Sequence, residues 1–283
     1  VLCTALLLPM PSVLEKIAYK VVPESEETEK AVELDDRLLA TPSIALQQSN
    51  NLVCKMANEA VEGFRLSLDA IDNYSDDLAK RIRSIEGDID HYEDVLGTYL
   101  AKLSRHHITD SDSAEVSKLL KAIGDFERIS DHSVNILESV EELLEKKIEF
   151  SASAKKELSV MRDALSEILT ITLDAFIRND SAKAYDVEPL EQVIDGLKFT
   201  LRDSHVVRLK QGECTVEVGF IWSDLLTNFE RTSDHCSNIA VCIIDADNKN
   251  MNVHESLRKI KEGNSEEFNK KFEEFSKKYQ ISH

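Results

Sequence analysis

An all-α protein is predicted, built as a tandem repeat of two three-helix bundles with an extra helix at the carboxyl end. Three observations lead there. Only eight Gly and five Pro occur in 283 residues, four of the Pro within the first 42, so most of the chain is free of helix breakers. Apolar residues recur at three- and four-residue spacing through long stretches. A twelve-residue phrase also occurs twice, as FERISDHSVNIL (Phe126 to Leu137) and FERTSDHCSNIA (Phe229 to Ala240), identical at eight of twelve positions.

The elements follow in order. VLCTALLLPM is apolar, but shorter than the roughly 20 residues that span a bilayer. It reads either as the end of a membrane helix or as a short segment folded onto the domain. Residues 23–42 are acidic and polar and read as a linker, with Pro42 and Ser43 opening the first helix. The spacing then predicts helices over about 43–72, 75–104, 112–148, 153–179, 181–210 and 215–247. Asp112 with Glu115 reads as a capping box. The joints between helices are short, which makes neighbours antiparallel. After a polar break come His254–Lys261 and a charged helix, Glu266 to Tyr279, whose Phe268, Phe272, Phe275 and Tyr279 form a face that should dock on the body.

The repeat extends beyond the phrase. Leu68-Asp69-Ala70-Ile71 matches Leu173-Asp174-Ala175-Phe176 at an offset of 105, and Ile85-Glu86 with Ile89-Asp90 matches Leu190-Glu191 with Ile194-Asp195 at the same offset. The phrase itself recurs at 103. Residues 43–150 and 151–247 are therefore two copies of one unit, followed by an extension over 248–283.

Each unit carries two Glu-x-x-x-Asp pairs: Glu86/Asp90 and Glu127/Asp131 in the first, Glu191/Asp195 and Glu230/Asp234 in the second. Residues i and i+4 share a helix face, where like charges repel. A lone pair means little, since about ten acidic i,i+4 pairs are expected by chance at this composition. Four pairs in register mean more, because antiparallel packing can gather the four carboxylates of each unit. Such oxygen clusters suit hard cations such as Mg²⁺, Mn²⁺, Ca²⁺ or iron. Arg128 and Arg231 read as ion-pairing residues, His132 and His235 as helix-packing residues, and Asn135 and Asn238 as buried inter-helix hydrogen-bonding groups.

With 53 acidic and 34 basic side chains the formal charge is −19, which opposes binding to nucleic acid. Five Cys (Cys3, Cys54, Cys214, Cys236, Cys242) lack C-x-x-C spacing and read mostly as core residues of a reducing compartment. Neither a Gly-rich phosphate loop nor a nucleophile elbow occurs, and the Glu-x-x-His of di-iron bundles is missing, so an enzyme is not expected.

Helix-borne E-R-x-S-D-H-x-x-N-I, twice in a six-helix chain, resembles the PhoU family of phosphate-signalling regulators over residues 45–247. The resemblance implies metal binding at Glu127, Asp131, Glu230 and Asp234, and more loosely at Glu86, Asp90, Glu191 and Asp195. It implies iron or another divalent ion, with Fe, Mn, Mg or Zn all open. LDDRLLATPSIALQQ and the last repeat resemble the PhoU-like domain of bacterial sodium/phosphate cotransporters. That branch implies a membrane-helix remnant over 1–22, and a transmembrane sodium/phosphate transporter portion of the same chain as partner. It also implies an indirect link to phosphate, room for a homodimer, and a place at the cytoplasmic face of the membrane. The alternatives are a free-standing PhoU-type adaptor for an ABC phosphate importer and its sensor kinase, or a structural bundle without metal.

Overall fold

The computed structural model describes residues 34–247 and 266–281. Among them every regular element is helical. A 3₁₀ turn, Asp36–Ala40, leads into α1 (Pro42–Asn73), α2 (Asp76–Leu103), α3 (Asp110–Lys146), α4 (Ala152–Arg178), a single turn α5 (Ser181–Ala184), α6 (Val187–Gln211), α7 (Val216–Asp247) and α8 (Glu266–Lys278).

Local chemistry sets these boundaries. Ser75 and Ser151 cap α2 and α4 by accepting the N–H of Leu78 and Ala154. Three helices end on a left-handed residue, Lys147 (φ 55°), Asn179 (φ 49°) and Gly212 (φ 74°), whose N–H returns to the last turn.

Three expectations need correction. α3 begins before Asp112, because the Thr109 hydroxyl accepts the Asp112 N–H and so caps the helix. The stretch 181–210 is not one helix: it breaks at Tyr185-Asp186 and restarts at Val187. Pro189 is the reason. In a continuous helix its ring would meet the Tyr185 carbonyl, whereas in the first turn of α6 its missing N–H costs nothing. The expected linker also ends early, since Asp36–Ala40 is ordered and buries Leu39. The expectations for residues 1–22, for the start of the linker and for His254–Lys261 fall outside the described residues.

Helices α1, α2 and α3 pack mutually, as do α4, α6 and α7. Gly63 lets α1 come close to α2, where a Cβ would stand 3.0 Å from Ile85 Cγ2. The first residue of each repeated phrase, Phe126 and Phe229, is fully buried, and Phe126 meets Phe176 of α4 edge-on at 5.1 Å.

The copies meet through their third helices, α3 and α7, and their first, α1 and α4. Along the first seam Arg65 donates to Thr170 at 2.8 Å, and Arg162 pairs with Asp72. Along the second, Asp125 meets His235 and Asn228 meets His132. Rising numbers on α3 run against falling numbers on α7, so the two helices are antiparallel. Arg65 and Thr170 are counterparts at offset 105, and His132 and His235, whose rings lie 5.6 Å apart, are counterparts at 103. Counterparts touch each other only on the axis relating two copies. A pseudo-twofold axis therefore runs through both contacts.

The docking of α8 is as expected: Phe275 and Tyr279 are buried, the Tyr279 hydroxyl donates to Glu167, and Lys278 pairs with Glu167 at 2.7 Å. No described helix is long and apolar enough to cross a membrane.

Candidate metal centre

The acidic residues of the first repeat come from two antiparallel helices. On α2, Glu86 and Asp90 are one turn apart; on α3, Glu127 and Asp131 repeat that spacing. Glu86, Asp90 and Asp131 each bring a carboxylate oxygen within 4.8 Å of the others. Glu127 completes the group electrostatically. Its carboxyl is pushed up to about 7, first by burial and then by the Asp131 charge, while Arg128 pulls the other way. Burial and neighbouring carboxylates also raise Glu86 and Asp90 above the usual range. Charges held this close raise one another's cost of ionisation, and a cation at their centre would offset it. An all-oxygen donor set of this kind fits hard cations, not thiophilic ones.

Arg128 lies at the rim, bonding Asp131 at 3.1 Å and Glu127 at 3.3 Å along its own helix.

The second repeat is built on the same plan and arranged differently. Glu191 is 2% exposed, and Asp195, Glu230 and Asp234 are half-buried beside it in sequence register. Lys198 of α6 places its ammonium 2.9 Å from Glu230. Among the described residues, Glu86, Asp90 and Asp131 are the group whose three ligand atoms converge; the second set does not converge in the same way. Two further groups in this repeat were not singled out by their sequence pattern. Glu188, buried one turn before Glu191, accepts a 2.5 Å hydrogen bond from Ser237, and Arg208 forms a buried ion pair with Glu157 at 2.7 Å.

The phrase's histidines line the seam, as expected of packing residues. His132 Nδ1 lies 2.9 Å from Asn228 Oδ1, and His235 Nδ1 lies 2.8 Å from Asp125 Oδ1. Burial lowers the His132 pKa, which keeps its ring neutral. The two asparagines part company. Asn238 donates to Asp125 at 3.3 Å across the seam, but Asn135 is exposed and does not form the buried bond expected of it.

The PhoU domain profile matches residues 53–140 and 158–243, one match in each repeat and together more than half of the chain. The chain belongs to the PhoU family. Among curated relatives, the phosphate-specific transport system accessory protein PhoU homolog 1 of Thermotoga maritima is 24% identical over 212 residues, covering 75% of this chain and 90% of the relative. YjbB of Escherichia coli K12, described as a putative inorganic phosphate export protein, is 20% identical over 79% of this chain and 41% of its own length. The crystal structure of PhoU from Streptococcus pneumoniae superposes with a TM-score of 0.66 at 18% identity, covering 75% of this chain and 99% of that one. PhoU from Pseudomonas aeruginosa gives a TM-score of 0.60 at 23% identity over 76% and 99%. At such identities the structural likeness speaks for the PhoU fold alone.

Proposed function

We propose that this PhoU-family chain regulates phosphate transport, and that a hard cation held between α2 and α3 is part of how it does so. The observation that carries the reading is the convergence of Glu86, Asp90 and Asp131, with Glu127 beside them, on one face of a duplicated bundle. A chain of formal charge −19 repels phosphate and acidic partners, and a bound cation gives it one place where an anion is welcome. Relatives covered over most of their length are accessory proteins of the phosphate-specific transport system, which supports an adaptor acting on such a transporter at the cytoplasmic face of the membrane.

The test is metal analysis and Mn²⁺ titration of the wild type and of Glu86→Gln/Asp131→Asn. The variant is expected to lose the bound ion. Equal content and affinity in both would remove the cation from the reading. In cells lacking their own PhoU, the wild type should restore phosphate-dependent control of uptake and the variant should not.

A second reading has the domain joined to a sodium-dependent phosphate transporter within one chain. It is favoured by the match to less than half of YjbB and by the LDDRLLATPSIALQQ stretch. The reading frame upstream of Val1 decides: several hydrophobic spans support it, and a nearby start Met supports the adaptor.

A further inference from the structure

The two repeats serve as internal controls for one another, and their acidic stripes differ at one informative place. On α2 the stripe that begins with Glu86 and Asp90 continues, seven residues after Glu86, with Glu93. On α6 the stripe that begins with Glu191 and Asp195 continues, at the counterpart position, with Lys198. Positions i, i+4 and i+7 share a helix face, so residue 93 and residue 198 stand at the same point of the two faces. The structure shows what the exchange does. Lys198 Nζ is 2.9 Å from Glu230 Oε2, and Glu230 is the counterpart of Glu127. Both side chains of this pair are largely buried, at 22% and 23% exposure, which strengthens their attraction over that of a surface pair. In the first repeat the basic neighbour of Glu127 is Arg128, which is 60% exposed and sits at the rim instead of on the stripe.

We infer that Lys198 is the second face's own tethered cation, and that it makes the two faces unequal: a divalent ion loads at the first repeat, while the ammonium holds the second against it. The inference rests on the proposed cation site of the first repeat. A divalent ion entering the second face must displace the Lys198 ammonium from Glu230 or share the face with it, and like charges at that range repel. In the first face the competing cation is Arg128, which bonds Asp131 and Glu127 but is 60% exposed at the rim and gives way into solvent at lower cost.

Isothermal titration of the full chain with Mn²⁺ alone tests it. The wild type should show one tight class of sites, abolished by Asp90→Asn/Asp131→Asn, with any second class at least about tenfold weaker. Lys198→Glu, which installs the first repeat's residue, should tighten the second class by about tenfold or more. The reciprocal Glu93→Lys should weaken the first class by about tenfold. Circular dichroism checks that each variant is folded, and the two exchanges act on different helices, so a failure of one to fold leaves the other to decide. Two equal classes in the wild type, or a folded Lys198→Glu whose second class does not move, would overturn the inference while leaving the cation reading intact. Absence of Mn²⁺ binding in every form would overturn both.

Discussion

His132 of α3 is hydrogen-bonded to Asn228 of α7 at 2.9 Å, and their counterparts, His235 and Asp125, make the same contact in the reverse direction at 2.8 Å. The amide oxygen of Asn228 can only accept, and its NH₂ is engaged by the Asp224 carbonyl at 2.9 Å. His132 therefore carries its proton on Nδ1. The repeated phrase thus does two jobs one residue apart: Asp131 turns toward α2 and the acidic face, and His132 turns into the seam.

Removing the acceptor should cost stability. Asn228→Val leaves the buried His132 N–H without a partner, and a loss of about 1–3 kcal/mol is expected by urea denaturation. Asp125→Asn keeps an acceptor facing His235 and should cost much less. Equal losses in the two variants would argue against the reciprocal pairing.

Stability without divalent ions should depend on pH with a definite sign. The folded-state pKa of Glu127, about 7, lies above its ordinary 4.5, so the folded chain holds a proton that the unfolded chain releases. The associated stabilisation is full below 4.5 and lost as pH rises through about 7. Raised values at Glu86 and Asp90 act in the same direction. The melting temperature of metal-free protein should fall between about pH 5 and about pH 8, and Glu127→Gln should flatten that slope.

The buried pair of Glu157 and Arg208 gives a third expectation. Glu157→Ala strands a guanidinium that is 5% exposed and stacked over Trp222, with an expected loss of about 3–5 kcal/mol. The double variant Glu157→Met/Arg208→Met should recover most of that loss, as read from urea midpoints. A double variant as unstable as the single one would show that packing, not charge, holds this end of the bundle.

Thiol chemistry supplies the fourth. Burial pushes Cys236 and Cys242 up to about 12, which leaves almost no thiolate at neutral pH. Neither should react with iodoacetamide at about pH 8 until the protein is unfolded, whereas the half-buried Cys214 should be labelled in the native state. Mass mapping of alkylated peptides reads the outcome, and native labelling at Cys236 would contradict its placement in the core.

The long helices, their order and the duplication are legible in the sequence because they follow from periodicity and from matching positions in two copies. The first acidic face is legible for the same reason, since Glu86, Asp90, Glu127 and Asp131 are defined by spacing within helices. What escapes lies in differences between the copies. Asp125 and Asn228, which immediately precede the repeated phrase, look like a loss of similarity and turn out to be the seam acceptors for the opposite histidines. Lys198 is hidden likewise, because the repeat is traced through residues that agree. The break before α6 was signalled by Pro189, outweighed by continuous apolar spacing on either side. Asn135 shows the converse error: its counterpart Asn238 finds Asp125 across the seam, but on its own side the acceptor is an amide already shared with His132.

Polar contacts at the seam also restrict how the halves of this molecule could move. Two apolar helices can slide past each other by a turn, about 5.4 Å, and repack at little loss. Here a one-turn slip would break both histidine contacts together, parting the buried His132 and the half-buried His235 from their acceptors, so the helices have one permitted alignment, much as a single buried Asn fixes the alignment of a coiled coil. A relative movement of the two halves that keeps both contacts can therefore be a small rotation about the axis between His132 and His235, but not a translation of α3 along α7.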